Sequence, residues 1–372
     1  MTKMFLKSLV SATALSVAIV GTASAGGFSR GNADTDIIYE DGNFNMRSGV
    51  TYVSPKREFT RNGNPALVGT DYAADYVIPS VAVKLNLTDN FRCATTYVMN
   101  MGGSATYEAP TLSGKLDEEF DTYEAALTCG VKFQVGSGNL WLLGGGFMEK
   151  FDYLRINVVA PGAPNAALDL EGEDYGYRLG VAYEIPEIAF RTQLMYRSGT
   201  TYGADGSLAV PGLFDVPAIG EGELPQTVEL KVQSGVAPGW LAFGSVKWSD
   251  WSVTEQLIAT APALGLRQTN DYFWKDGWTV TAGVGHAFNE QISGLVALTW
   301  DSGVGTGWDL SSDTWTLATG VSLKDKFGGE LRGGLGVTYL TSAEETQYAP
   351  GANAAVGSGW AFAANIGYAI KW

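Results

Sequence analysis

The sequence predicts an all-β chain, a transmembrane antiparallel β-barrel of about fourteen strands with a short N-terminal luminal plug segment. Three observations predict it. Large apolar side chains alternate with small or polar ones at period two, the alternating runs are long enough to cross a bilayer, and the connections between runs are alternately short and long.

The first residues set the compartment. Lys3 and Lys7 precede an apolar run from Leu9 to Val20, and Ala23-Ser24-Ala25 has the small-x-small pattern of signal-peptide cleavage. The apolar run is shorter than the ~20 residues that a spanning helix needs. Residues 1–25 are therefore expected to be a signal peptide, 26–45 a plug-like segment and 46–372 the barrel, placed in a bacterial outer membrane.

Alternation is clearest in the last segment. Trp360, Phe362, Ala364, Ile366, Tyr368, Ile370 and Trp372 share one face, and Ala361, Ala363, Asn365, Gly367, Ala369 and Lys371 share the other. Tyr175, Tyr177, Leu179, Val181, Tyr183 and Ile185 alternate in the same way with Gly176, Arg178, Gly180, Ala182 and Glu184. Ile188, Phe190, Thr192, Leu194 and Tyr196 alternate with Ala189, Arg191, Gln193, Met195 and Arg197. A large apolar face suits lipid, and a face of Gly, Ala, Thr and charge suits a lumen.

Expected strands cover 46–59, 76–88, 91–101, 122–135, 139–158, 174–185, 188–202, 223–236, 239–252, 274–286, 290–302, 312–324, 328–341 and 358–372. Short turns such as Asp89-Asn90 and Pro186-Glu187 then lie on the periplasmic side. The longer stretches 60–75, 102–121, 159–173, 203–222, 253–273, 303–311 and 342–357 become outer loops. A soluble sandwich has no reason for such strict alternation, because its connections vary at both ends. Trp248, Trp251, Trp274, Trp278, Trp300 and Trp308 fall near strand ends beside long loops, where amphipathic rings form interfacial girdles.

Composition excludes several functions. With 39 acidic against 24 basic residues, the net charge of −15 speaks against nucleic acid, whose phosphates call for Lys and Arg. One histidine and two cysteines leave no zinc constellation and no cofactor is expected. Cys93 and Cys129 fall on adjacent expected strands. They are either a cross-strand disulfide or two small wall residues, because register is not readable from sequence.

Several stretches resemble the FadL-type outer-membrane transporters of long-chain fatty acids and other hydrophobic compounds. They are Gly49-Val50-Thr51-Tyr52-Val53-Ser54-Pro55, Tyr183 to Arg191 running on to Tyr196-Arg197-Ser198, Val246-Lys247-Trp248-Ser249-Asp250-Trp251-Ser252, and Lys275-Asp276-Gly277-Trp278. The resemblance implies a 14-stranded barrel whose N-terminal segment enters the lumen, with capture of ligand among apolar outer loops. It further implies passage to an internal pocket and sideways exit beside a kinked third strand. One departure stands out. The family's N-terminal segment usually carries Asn-Pro-Ala ahead of the first strand, and here that region reads Tyr39-Glu40-Asp41-Gly42-Asn43. Asn64-Pro65-Ala66 does occur, but in the first outer loop.

The expected outer loops are unusually apolar. Val158, Val159, Leu168, Leu170, Leu208, Val210, Leu213, Phe214, Val216, Ile219, Leu257 and Ile258 are candidate ligand contacts, either as an open groove or folded together as a lid. Alternation points Arg178, Arg191 and Arg197 into the lumen. There they either meet a ligand carboxylate or pair with luminal Glu.

The function expected is passive uptake of hydrophobic small molecules, fatty acids or hydrocarbons, with long-chain fatty acids foremost. The alternatives are a general diffusion porin for small polar solutes, or an outer-membrane enzyme. An enzyme of the nucleophile–base type is disfavoured because the single His286 falls beside an expected periplasmic turn. Other expected partners are outer-membrane lipid, lipopolysaccharide, and the barrel assembly machinery, which would read the strand ending at Trp372.

Overall fold

The computed structural model describes residues 27–372, so the expected signal peptide lies outside the described residues. Eighteen strands form one closed sheet: β1 (Phe44–Lys56), β2 (Tyr76–Asn86), β3 (Phe91–Thr106), β4 (Lys115–Val135), β5 (Gly138–Asn157), β6 (Ala166–Ile185), β7 (Phe190–Arg197), β8 (Thr200–Val210), β9 (Phe214–Leu224), β10 (Thr227–Ala237), β11 (Trp240–Ser249), β12 (Gln256–Ala261), β13 (Leu266–Asp271), β14 (Gly277–Ala287), β15 (Ile292–Asp301), β16 (Thr314–Lys324), β17 (Gly329–Leu340) and β18 (Gly359–Lys371). The barrel closes where β1 pairs antiparallel with β18, from Asn45↔Lys371 to Lys56↔Trp360.

Fourteen staves result from eighteen strands because four staves are each broken in two. Breaks fall at Ser198-Gly199, at Pro225-Gln226, at 250–255 and at 272–276. The lower pieces complete the barrel through the order β6–β7–β10–β11–β14. The upper pieces branch outward from the same sheet at the outer half of β6, in the order β6–β8–β9–β12–β13. Much of the expected loops 159–173, 203–222 and 253–273 is therefore strand, which corrects the reading of Leu168, Leu170, Leu208, Val210, Phe214, Val216, Ile219, Leu257 and Ile258 as loop residues. The reason is that period-two packing continues above the membrane while the outward face changes from greasy to acidic. Asp169, Glu171, Asp205 and Glu221 stand exposed there.

Alternation sorts the two faces as expected. Tyr175, Leu179, Phe362 and Ile366 are more than half exposed on the outer wall, at 65%, 55%, 58% and 57%, while Arg178, Ala182 and Ala361 are buried on the inner one. Two tryptophans correct the girdle reading. Trp251 and Trp274 are buried in the lumen because the chain breaks beside them reset the inward–outward phase, whereas Trp278 does face outward. Cys93 and Cys129 lie directly opposite one another on β3 and β4, 4.0 Å apart at Cα, and form a disulfide.

The segment preceding β1 runs inside the wall. Its single turn of 3-10 helix, Thr35–Tyr39, buries Ile37 and Ile38 against Trp141, Leu143, Ala94 and Met195. Cations hold the end of that turn. Lys84 Nζ donates to the carbonyls of Glu40 and Gly42 at 2.7 Å each, and Arg92 Nη1 to those of Ile38 and Glu40 at 3.1 Å each. Arg47 pairs with Asp34 at 2.7 Å and also with Glu40, and Tyr39 OH donates to Gln193 at 2.7 Å.

Outside the membrane, three short strands, Phe59–Arg61, Ala343–Glu344 and Ala355–Val356, tie the first and last outer loops into a lid. Phe59, Leu67, Ala354 and Val356 form its core. Arg57 staples it, donating to the carbonyl of Leu310 at 2.9 Å, to Ser312 Oγ at 2.8 Å and to the carbonyl of Thr341. Substitution Arg57→Ala should strip the lid of these charge-assisted bonds and speed loop cleavage on the order of tenfold. Limited proteolysis of outer-membrane vesicles checks this, with the barrel's resistance to unfolding in detergent unchanged.

Candidate functional site

The lumen is layered from the outside inward. The outermost layer is aromatic. Phe120, Phe151, Tyr153, Tyr202, Trp251 and Trp274 are buried together with Leu168, Leu170 and Val304. Into this cluster reaches Phe28, from the N-terminal segment. Its ring centroid lies 4.8 Å from Phe120, 4.9 Å from Trp274, 5.4 Å from Tyr272 and 6.1 Å from Trp251. Gly27 permits this approach, since its φ is +58° and a Cβ there would come within 2.7 Å of Trp251.

The next layer is charged. Glu149, fully buried, accepts hydrogen bonds from Arg197 Nη2 at 2.8 Å, Thr200 Oγ1 at 2.6 Å, Tyr202 OH at 2.9 Å and the amide of Asn100. Glu124 takes Arg197 Nε at 2.7 Å and also pairs with Arg178. The Arg178 and Arg197 guanidinium carbons lie 5.6 and 4.1 Å from the Phe147 ring centroid. That ring occupies the space over Gly176, where a Cβ would meet it at 2.1 Å.

Below lies a chamber of about 290 Å³. Asp34, Asp36 and Asn32 of the N-terminal segment bound one side, and Ser245, Lys247, Thr279, Thr281 and Thr299 bound the other. A second cavity of about 510 Å³ lies at the periplasmic end, and Arg47, Arg191, Gln233 and Arg332 line both.

The wall beside the chamber is interrupted. Strands β2 and β3 pair only from Ser80↔Val98 down to Asn86↔Arg92. Above that point Pro79 offers no N–H, and β3 carries a register shift between Met99 and Met101. The N-terminal segment fills the edge. Gly31 N donates to the Met99 carbonyl at 3.0 Å, Arg30 N to that of Asn100 at 2.9 Å, and Gly102 N to that of Phe28 at 2.7 Å. The Arg30 guanidinium carbon sits 3.3 Å from the Tyr76 ring centroid. Gly31 lies between Ile78 and Val98, with no room for a side chain. Higher still the wall resumes, with Ala73 bridging Ala105.

The residues singled out from sequence are dispersed over this scheme. Leu168 and Leu170 belong to the aromatic cluster and Leu208 packs on it. Leu257 and Ile258 line a small pocket with Leu170, Phe151 and Asn270, and Val210 is buried nearby in the upper sheet. Val159 and Leu213 are exposed at turns, Ile219 is exposed on the outward face of β9, and Val158, Phe214 and Val216 are half-buried. Of the three arginines, Arg178 and Arg197 pair with Glu124 and Glu149. Arg191 stacks on Tyr39, 4.3 Å from the ring centroid, and bonds Gln233 at 3.3 Å. Sequence reasoning missed Phe28, Phe120, Phe151 and Tyr202, and also Glu124 and Glu149. The strand residues among them sit at inward positions of expected strands or outer loops, and only their large size or charge on a small-residue face marked them.

The fold and these layers define a class, a bacterial outer-membrane transport barrel with an occupied lumen. Residues 40–293 match the outer membrane protein transport protein family (OMPP1/FadL/TodX), and the chain belongs to that family. Among solved structures, it superposes on a FadL homologue of Pseudomonas aeruginosa with a TM-score of 0.72 and 13% identity, covering 94% of this chain and 96% of that one. The toluene transporter TodX of P. putida gives a TM-score of 0.63 at 12% identity over 91% and 92% of the two chains. The toluene transporter TbuX of Ralstonia pickettii gives 0.61 at 10% identity over 96% and 100%. No curated protein matches the sequence significantly.

Replacing Glu149 by Ala should cost about 1–3 kcal/mol, because Arg197 Nη2 and three neutral donors would lose their buried acceptor while Arg197 keeps Glu124. Glu149→Gln should cost less. Denaturant titration of the purified barrel in detergent measures both.

Proposed function

We propose that this barrel takes up compact hydrophobic molecules passively, capturing them at the outer sheet and releasing them sideways through the wall. One observation carries the reading. The N-terminal segment that covers the interruption between β2 and β3 is the same segment whose Phe28 fills the aromatic cluster above the chamber.

Capture begins on the upper sheet, where Leu213, Phe214, Val216 and Ile219, with Val158 and Val159 on the neighbouring turn, offer apolar surface to an arriving ligand. Leu168, Leu170, Leu208, Val210, Leu257 and Ile258 lead inward to the aromatic cluster. An apolar ligand there competes with Phe28 for the same rings. Once Phe28 leaves, the three backbone bonds that hold residues 28–31 against β3 lose their anchor, and the chamber opens towards lipid between Ile78 and Val98.

Two points favour compact, uncharged ligands over long-chain acids. The chamber is at the small end of ligand cavities. Of the three arginines singled out in the sequence, Arg178 and Arg197 are already bound to glutamates. The names of TodX and TbuX, toluene transporters, lie in the same direction. Transport across the wall needs binding and release only, so no catalytic group is invoked.

Substituting Leu213→Ser together with Phe214→Ser should lower uptake of a radiolabelled monoaromatic compound into proteoliposomes several-fold without loss of folded barrel. Unchanged uptake would remove the outer sheet from the path. The exit is tested separately. Ser29 and Met101 are bridge partners, so Ser29→Cys with Met101→Cys should cross-link the segment to β3. Uptake should then stop under oxidation and return with reductant, and persistent uptake in the oxidised protein would exclude a lateral exit here.

A further inference from the structure

We infer that the chamber selects, among compact hydrophobic molecules, those bearing a neutral hydroxyl group, an alcohol or a phenol, and that Thr281 and Thr299 are the residues that read it. The inference rests on the uptake reading above and specifies its substrate class.

The luminal wall of β10, β11 and β14–β17 carries hydroxyls in register. Lys231, Ser245, Thr281, Thr299, Thr316 and Thr338 are successive cross-strand neighbours on six adjacent strands. Thr281 and Thr299 share a hydrogen bond of 2.9 Å, and Thr316 and Thr338 one of 2.8 Å. Strand geometry does not require those oxygens, because Val is as well suited to a strand and to the same volume. Each hydroxyl carries one donor and two acceptor sites, so a Thr–Thr pair joined by one bond keeps a donor and further acceptors for a third oxygen. Ser245, Thr281 and Thr299 present theirs to the chamber.

Charges near this face have partners within the chain: Lys247 Nζ donates to Asn32 Oδ1 at 3.2 Å and stands opposite Glu229 on β10. Lys231 lies 3.4 Å from Asp36 and 3.6 Å from Glu229, and Arg47 is held by Asp34 and Glu40. Beside them, the far side from the wall interruption carries the neutral hydroxyls of Ser245, Thr281 and Thr299. Apolar lining lies at the interruption, at Ile78 and Val98, and also at Phe243 beside Ser245 on β11. A ligand with a ring at one end and a hydroxyl at the other fits this two-sided chamber, ring towards lipid and oxygen on the threonine pair. A plain hydrocarbon of the same shape leaves the threonine oxygens without the partner that water or a ligand oxygen supplies.

The test compares toluene with 4-methylphenol, which differ by one hydroxyl; the phenol is uncharged at neutral pH, since phenols titrate near 10. Affinities for the full mature protein in detergent are measured by competition against a fluorescent aromatic probe and corrected for partition of each compound into detergent. Wild type should favour 4-methylphenol by about tenfold, the worth of one good hydrogen bond. The double variant Thr281→Val/Thr299→Val should bring the ratio close to one, and the lipid-facing control Thr319→Val should leave it at the wild-type value. Equal corrected affinities in wild type, or a ratio the double variant does not change, would overturn the inference. Tighter binding of 4-methylbenzoate than of 4-methylphenol would also overturn it, by showing an anion site. If wild-type proteoliposomes take up neither toluene nor 4-methylphenol, the uptake reading itself fails, whereas uptake of both with no preference sinks only the hydroxyl inference.

Discussion

The wall depends on one constraint, that a polypeptide inside hydrocarbon has to pair every backbone N–H and C=O with its own chain. Closure of β1 on β18 meets this around almost the whole circumference. It is not met by the barrel strands alone above Ser80↔Val98, where β2 and β3 part. At that height the missing partner is supplied by residues 28–31, whose three backbone bonds to β3 complete the wall from within. The N-terminal segment thus forms part of the wall. Anything that draws it away exposes a polar edge to lipid unless a ligand or water occupies the space at once.

The segment is held unequally along its length. Its lower part, from Asp34 to Gly42, is gripped by Lys84, Arg92, Arg47 and Gln193, with Ile37 and Ile38 fully buried. Its upper part has three backbone bonds, the contact of Arg30 with Tyr76, the bond from Lys247 Nζ to Asn32 Oδ1 at 3.2 Å, and the ring of Phe28. Local opening follows the weaker contacts. On the proposed path, motion confined to residues 28–33 opens the side of the barrel while the buried turn stays in place. The rigid counterpart is the Glu124–Glu149 network, which binds β3 to β8 on the inner wall next to the interruption and keeps the edge of β3 in place.

Much of this was legible in the sequence, and the residues show where legibility stopped. Tyr175 to Ile185 and Trp360 to Trp372 alternate so regularly that both wall orientation and strand number followed. Phase is lost wherever the chain breaks, and so Trp251 and Trp274, placed next to breaks at 250–255 and 272–276, turned inward instead of joining the girdle. The upper sheet was read as loop because its outward face is acidic, yet Leu168, Leu170 and Val210 keep the inward periodicity there. Pairings between distant positions carry no local signal. Cys93 against Cys129, Arg178 against Glu124, and Phe28 among four rings are set by register and tertiary placement, which only the folded chain determines.

The energies are of the size that a ligand-operated opening needs. Burying one Phe side chain is worth about 1.5–3 kcal/mol, and each net hydrogen bond about 0.5–1.5 kcal/mol. The upper segment is therefore held by only a few kcal/mol, which keeps the opened form a minor population without making it inaccessible. A small ligand that takes over the Phe28 site recovers much of the ring burial, which offsets part of the cost of opening. Ligands too polar to replace Phe28 among Phe120, Trp251, Tyr272 and Trp274 would leave the wall closed. Ligands with nothing to offer the threonine face would pass the rings and find a poor resting place in the chamber. On the proposed path, two successive sites of opposite character, an aromatic one above and a hydroxyl-lined one beneath it, make admission depend on an apolar body and retention on a polar end.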